Sequence, residues 1–316
     1  MTGFIGLLTR LLTRQFATCW DTRILVAGVI AQRLGCLQSM TQIKNKRILI
    51  TGGAGSIGSE LARQLCRKNK VFILDQNETA TFDLREELKQ KGYWVHSRTG
   101  DIRSKETLSD VFEDFKPQYV FHAAALKHVT PNEEYPREAI DTNIIGTDNL
   151  IAEAKRWECF EKFVFISTDK VVNASCIMGI TKLCAEGLVR RAGEKFVAVR
   201  FGNVLGSRGS VLQIWQRQKD QGDRITITDE RMTRFVMTIP EACALVIKAA
   251  SEGSNGEVYI LDMGEPVGIM ELKKRFFGNY PHKIIGIRPG EQLSEKLMTK
   301  DEELIAKKKG KFYVIK

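Results

Sequence analysis

The residues best equipped for chemistry lie in "STDKVVNASCIMGITKL", residues 167–183. Asp169 and Lys170 are adjacent, offering an acid and a base whose titrations must be coupled. Lys182 follows Met178 by four residues, one helical turn, so a lysine that could sit beneath a proton-transferring tyrosine sits beneath a thioether instead. Methionine cannot ionise, donates no hydrogen bond and accepts only weakly. Either the site is silent, or proton transfer falls on Asp169 and Lys170. A Thr-Asp pair such as Thr168-Asp169 is also a common helix cap, so its position in the fold decides between a structural and a chemical role.

A second group is suited to an anion. "TGGAGSIG" carries Gly52, Gly55 and Gly58 with two residues between successive glycines. Glycine permits positive φ and close backbone approach, and a helix beginning near Ile57 directs N–H groups of Ser56, Ile57 and Gly58 at a ligand. Between an apolar strand and a helix, this pattern predicts a dinucleotide pyrophosphate site. Asp75 ends the second strand about 20 residues later, where an acid accepts both ribose hydroxyls and repels a 2′-phosphate; NAD is favoured over NADP. Asp101 and Ile102 in "GDI" follow the third strand, with Asp101 either near the adenine or closing a turn. Ala123, at the end of the fourth strand, joins the cofactor group. Arg63 and Arg67 fit a solvated helix face better than a phosphate site.

These groups need elements to hold them. Short apolar runs at 48–51, 71–75, within 93–102, and at 119–125, 162–167 and 196–204 read as buried strands. Helical patterns at 79–91, 105–115, 136–157 and 177–193 separate most of them. Such alternation demands crossovers and predicts an α/β fold, a doubly wound parallel sheet of Rossmann type. After residue 205 come "ITITD" (225–229), "MTRFVMTIP" (232–240), a helix at 240–252, "EVYILDMG" (257–264) and a basic tail. The expected organisation is a basic extension (1–43), an NAD-binding domain (44–204) and a mainly substrate-binding domain (205–316) with segments returning to the sheet.

Bulk properties narrow the function. The net charge of +10 is concentrated at the ends, +6 in residues 1–50 and +3 in residues 300–316. No basic stripe with interleaved aromatics occupies the centre, which argues against nucleic acid. Seven scattered cysteines without a Cys-x-x-Cys pair, and unclustered histidines, give neither a disulfide framework nor a metal site. They read as buried small hydrophobes in a reducing, cytoplasmic setting. "ILVAGVIA" is too short to span a membrane. Residues 1–16, apolar at helical spacing with Arg10 and Arg14, suit peripheral contact with an anionic membrane. Packing on the domain, a native start at Met40 and an organellar leader without a marked cleavage site are the alternatives.

From about residue 44 onward the chain resembles the extended short-chain dehydrogenase/reductases, and among them the nucleotide-sugar 4,6-dehydratases of bacterial polysaccharide biosynthesis. The resemblance is carried by "TGGAGSIGSE", "FHAAALKHV", "EAIDTNIIGTDNL", "FISTDKVVN", "MGITK", "VRFGNVLGSRGSV", "ITITDERMTRFVMTIPEA", "LDMGEPV" and "RPGEQL", in that order. Most of the wider family pairs Tyr-x-x-x-Lys with a Ser/Thr. Thr168 and Lys182 match two of these, and Met178 stands at the tyrosine, as in a methionine-bearing branch with Thr-Asp-Lys. Ala174, Cys176, Ser104 and the placement of Pro131 depart from the usual pattern.

The resemblance implies NAD-dependent dehydration of UDP-N-acetylglucosamine to a UDP-4-keto-6-deoxy-hexosamine for surface polysaccharide or glycoprotein glycans. Oxidation at C4 acidifies the C5 proton; Lys170 is then the C5 base and Asp169 the acid at the C6 hydroxyl. Asp169, a water, or Thr168 in a relay would take the C4 hydroxyl proton. Lys182 doubles as a cofactor contact, and Asn143 ties the central helix to the active-site backbone. Asn203, Ser207, Arg208, Arg234, Arg288 and Glu291 resemble contacts to the nucleotide diphosphate and ribose. Lys127 resembles a residue near the sugar or pyrophosphate, or is a surface lysine, whereas His122, flanked by apolar residues, reads as a core histidine. Homo-oligomers form in relatives through helices flanking the catalytic segment. A C4 epimerase, which needs no C5 base, and a silent nucleotide-sugar-binding subunit are the competing readings.

Overall fold

The computed structural model describes residues 43–316. Its first half alternates strand and helix: β1 (Arg47–Thr51), α1 (Ser56–Leu65), β2 (Lys70–Asp75), α2 (Glu78–Gln90), β3 (His96–Thr99), α3 (Lys105–Phe115) and β4 (Tyr119–His122). A longer helical passage follows: α4 (Val129–Glu134), α5 (Pro136–Ala139), a π-helical turn (Ile140–Ile145) and α6 (Gly146–Lys155). Then come β5 (Lys162–Ile166), a single tight turn (Asp169–Val171), α7 (Ile177–Arg191) and β6 (Phe196–Arg200). The remaining elements are β7 (Asn203–Leu205), α8 (Val211–Asp220), β8 (Ile225–Ile227), β9 (Thr233–Arg234), β10 (Val236–Thr238), α9 (Ile239–Glu252), β11 (Val258–Leu261), β12 (Val267–Gly268), α10 (Ile269–Phe277), β13 (His282–Ile284), α11 (Lys300–Ile305), β14 (Lys307–Lys309) and β15 (Phe312–Ile315).

Nine strands form one sheet in the order β14-β15-β11-β6-β5-β4-β1-β2-β3. From β11 to β3 every neighbouring pair is parallel. Side chains alternate across the sheet, and the sequence uses that period of two. Ile48, Ile50, Val71 and Ile73 enter one core with Leu61 of α1, Leu84 of α2 and Leu245 of α9. Leu49, Phe72 and Leu74 enter the other with Leu108 of α3, Leu150 of α6 and Val189 of α7. Helices therefore cover both faces, and the strand order reverses beside β1, opening a crevice at the strands' carboxyl ends. A third cluster, around Trp215, Ile225, Ile227 and Leu272, supports the small sheets β8/β13 and β9/β12.

Three expectations need correction, and one segment that returns to the sheet is the tail. The strand expected over 119–125 stops at His122, because the next residues pack against the glycine turn. The one expected over 196–204 breaks after Arg200, and its second part pairs with β10 instead. The helix expected over 136–157 contains the π-helical turn, which carries Asn143. The basic tail includes β15, antiparallel to β11, with Phe312, Val314 and Ile315 buried. Lysines 307–309 occupy the edge strand, where charge discourages further pairing.

All five cysteines among the described residues are unpaired thiols; Cys184 is exposed, contrary to the reading of these residues as buried. No helix among the described residues is long and apolar enough to cross a membrane, and no group of His, Cys, Asp or Glu there could hold a metal ion. Residues 1–16 and Met40 lie outside the described residues.

Candidate active site

The glycine turn is shaped by close approach. Gly52 has φ +64°, and a Cβ on it would lie 2.5 Å from the Ala124 nitrogen. A Cβ on Gly58 would lie 2.2 Å from the Gly52 carbonyl oxygen. Ala123 N donates to Thr51 O at 2.9 Å, locking the end of β4 beside the turn. Gly55 precedes α1 and supplies no capping side chain, so the first-turn N–H groups of Ser56, Ile57 and Gly58 lack a side-chain cap and present a positive dipole end. That cradle fits a diphosphate. Asp75 Oδ2 accepts from Ala54 N at 3.0 Å and Oδ1 from Asn77 N at 2.9 Å, so this carboxylate binds the turn to the end of β2.

Asp101 lies at the carboxyl end of β3, with its carboxylate engaged by Arg103 Nε at 2.8 Å. Ile102 is buried in the core against Gly146. Arg63 reaches Glu87 through two hydrogen bonds of 2.9 and 2.8 Å, bridging α1 and α2.

Across the crevice, β5 ends at Ile166 and the chain continues alongside β6: Ser167 N donates to Val199 O and Asp169 N to Phe201 O. Thr168 Oγ1 caps the tight turn and donates to Asp169 Oδ1 at 3.0 Å. Asp169 is 1% exposed, and its Oδ2 is buried without a hydrogen-bond partner. Lys170 Nζ has three acceptors: Asp169 Oδ1 at 3.0 Å, Glu295 Oε2 at 2.9 Å and Asn203 Oδ1 at 3.3 Å. Burial, reinforced by the Glu295 charge, pushes the Asp169 carboxyl up to about 7 against the pull of Lys170. Burial also works against the Lys170 charge, but the two carboxylates outweigh it and hold its pKa above the usual lysine value.

The helix α7 is capped by the Cys176 thiol, which accepts from Gly179 N, and by Glu133 Oε1, which accepts from Ile177 N at 2.6 Å. It carries buried Met178 and, one turn on, buried Lys182. Lys182 Nζ donates to Ile166 O at 2.5 Å and sits 3.9 Å from the centre of the Phe165 ring. Burial pulls its ammonium down to about 7, partly opposed by Glu186. Asn143 Oδ1 accepts from Leu126 N, and its Nδ2 donates to Leu126 O and Thr181 Oγ1, tying the π-helical turn to both the β4 loop and α7. His122 is fully buried between Thr51 and Thr147 hydroxyls, and burial pulls its imidazole down to about 3. It is a core residue.

Among the residues expected to meet a nucleotide sugar, Asn203, Arg234 and Glu291 line one cavity of about 120 Å³ together with Asp169 and Lys170. Arg234 spends its donors within the protein, on Thr233 O, Leu293 O, Gln292 O and Glu295. Lys127 Nζ donates to Arg208 O at 2.7 Å, and Arg208 N donates to Ser56 Oγ at 2.9 Å, so this loop touches the glycine turn. Ser207 lies in that loop, its N donating to Val204 O. Arg288 is exposed and does not line the cavity.

Glu295 and Gln292 also line the cavity, and neither was expected from the sequence. Gln292 Nε2 donates to Asn173 O and Ser175 Oγ, strapping the 290–295 segment onto the loop that follows the Asp169–Val171 turn. "RPGEQL" brought attention to this segment, but a glutamate two residues beyond it has no local signature.

The parallel sheet, the glycine cradle and the lysine-bearing helix at the strands' carboxyl ends define the class of extended short-chain dehydrogenase/reductases. Residues 48–316 match the family described as polysaccharide biosynthesis protein, and the chain belongs to that family. It is 45% identical to the capsular polysaccharide biosynthesis protein CapD of Staphylococcus aureus, over 83% of this chain and 46% of CapD. The chain thus spans about half the length of that relative. It is 35% identical to a UDP-N-acetylglucosamine 4,6-dehydratase (inverting) of Campylobacter jejuni, over 85% of this chain and 82% of that protein. A UDP-glucose 4-epimerase of Rickettsia typhi is 34% identical over 86% of this chain and 83% of its own. The crystal structure of Pen from Bacillus thuringiensis superimposes with a TM-score of 0.80 at 36% identity, covering 87% of this chain and 89% of that one.

Proposed function

We propose that the protein is an NAD-dependent nucleotide-sugar 4,6-dehydratase acting on UDP-N-acetylglucosamine. The observation that carries this reading is the pair of buried Asp169 and half-buried Lys170, joined at 3.0 Å and facing a cavity, with one carboxylate oxygen lacking a hydrogen-bond donor. A ketone-forming epimerase has no need of a base at C5, whereas an elimination needs a base and an acid together.

The glycine turn, the N-terminus of α1 and Asp75 would hold NAD, and a carboxylate at Asp75 disfavours a 2′-phosphate. NAD, when bound, would take the C4 hydride and return it to C6. Lys170 and Asp169 do the proton work. Transfer of one proton along their hydrogen bond turns the ion pair into an amine and a carboxylic acid with no change in proton count. The amine takes the C5 proton as the C5–H bond breaks. The carboxylic acid protonates the C6 hydroxyl as the C6–O bond breaks, water leaves, and the ion pair is restored; as hydride is added at C6, the Lys170 ammonium gives a proton to C5, which completes the deoxy sugar. The Thr168 hydroxyl, already donating to Asp169, supports a relay for the C4 hydroxyl proton. Met178 takes no part in these transfers. The cavity is smaller than the roughly 300–1,000 Å³ of a typical small-molecule site, so only the reacting end of the substrate would enter it. A homo-oligomer is supported by exposed Ile140, Ile145, Ile180 and Leu183 on the π-helical turn and α7.

Incubation of the purified protein with UDP-N-acetylglucosamine in deuterated water tests the reading. Loss of one water with deuterium at C5 is the expected result. A C4 epimer without solvent label would instead establish the epimerase suggested by relatives of that name. Unchanged substrate in the presence of bound cofactor would leave a silent binding subunit.

A further inference from the structure

Lys170 does not face Asp169 alone. Its ammonium lies between two buried carboxylates, Asp169 at 3.0 Å and Glu295 at 2.9 Å, and Glu295 is 125 residues away in sequence. The Glu295 side chain is 6% exposed, and its second oxygen lies 3.4 Å from Arg234 Nε. Arg234 in turn grips the carbonyl oxygens of Gln292 and Leu293, while Gln292 is bonded to the catalytic loop. Glu295 is therefore held in place from both sides rather than resting on the lysine by chance.

We propose that Glu295 is a positioning residue that acts as the permanent counter-ion of Lys170, so that Asp169 is released from that task and can carry the reaction's proton. The proposal rests on the dehydratase reading above. With Asp169 as its only anionic partner, the ammonium would keep that carboxylate ionised. With Glu295 present, the ammonium that re-forms on Lys170 is paired with a carboxylate while Asp169 still holds its proton. The same charge makes the lysine a stronger base, because the ammonium it becomes on taking the C5 proton is already provided with a carboxylate. The unpartnered Asp169 Oδ2 is the oxygen left to hold the proton.

The charged and titratable groups around the cluster are few. Asp169 and Lys170 come from the tight turn, Arg234 from β9, and Glu295 and Glu291 from the strap; Cys176 completes the cavity wall and Glu133 lies behind it on α4. Glu295 raises both members of the pair, so its removal must lower both.

The test is Glu295→Gln in the full chain, which keeps the side chain's size and removes its charge. Both limbs of the pH profile for dehydration should move to lower pH by about one unit or more. A merely structural glutamate would reduce the rate without moving the limbs. A second readout needs no turnover: the Asp169 carboxyl carbon is followed by carbon-13 NMR, its signal assigned by loss in Asp169→Asn. Its midpoint should fall in Glu295→Gln, and Glu295→Asp should shift it less; the Asp variant carries the test if the Gln variant does not fold. An unmoved midpoint overturns the proposal. A moved midpoint in a protein that leaves UDP-N-acetylglucosamine unchanged would support the counter-ion and refute the dehydratase assignment instead.

Discussion

Replacing Asp169 by Asn should inactivate the protein and yet stabilise it, by more as the pH rises. The side chain is almost wholly enclosed, with one oxygen offered no hydrogen-bond donor, and burial, reinforced by Glu295, holds its carboxyl at about 7 instead of the ordinary 3.8. A raised carboxyl pKa means that the fold prefers the protonated form. This stabilising preference is complete below pH 3.8 and is lost as pH rises through 7. Above that, keeping Asp169 ionised in the fold costs up to about 4 kcal/mol relative to the unfolded chain. Asparagine is neutral throughout and its oxygen can still accept from Lys170 and Thr168. The variant should therefore exceed the wild type by about 1 kcal/mol at pH 4.5 and by up to about 4 kcal/mol at pH 8.5. For a chain of this length the larger figure raises Tm by several degrees. Thermal scans of both proteins at the two pH values, alongside a turnover assay, check this. Equal gains at both pH values, or a loss at pH 8.5, would refute the claim that Asp169 is a strained acid.

Other perturbations probe the elements around it. Gly58→Ala should lose most NAD binding in a fluorescence titration, since its methyl would meet the Gly52 carbonyl oxygen at 2.2 Å; unchanged affinity would remove the turn from the cofactor site. Asp75→Ala should weaken NAD more than NADP, because it removes a ribose acceptor and a repulsion towards a 2′-phosphate together; equal effects in the same titration would defeat the ribose assignment. Arg200→Met should destabilise the fold by about 3–5 kcal/mol, because it strips the partner from buried Glu186. That arginine bridges Glu186 and Glu302, and Glu186 also accepts from Ser167 Oγ at 2.6 Å, next to the Asp169–Val171 turn. Adding Glu186→Leu should recover much of the lost Tm, and failure to do so would place the cost elsewhere.

The alternation of short apolar strands with helices was legible in the chain because a parallel sheet covered on both faces needs continuous runs such as Ile48–Ile50 and Val71–Leu74. The glycine turn, Asp75 and the Thr168-Asp169-Lys170 triplet were legible for a related reason. Each is a local arrangement, complete within a few residues, that follows directly on a strand. Which segment of the tail joins the sheet was not legible, because Lys307, Lys308 and Lys309 dominate its composition, whereas its structural role belongs to Phe312, Val314 and Ile315, whose burial depends on finding β11 across the sheet.

Sequence alone determined the class of fold, the glycine turn between β1 and α1 and the adjacency of an acid to a base. Tertiary structure decided the charge state of that pair. It brought Glu295 and Arg234 to Lys170 and closed Asp169 off from water. Peptide bonds fix which groups are neighbours along the chain, but a pKa depends on the charges and solvent around a group, and folding sets these across 125 residues.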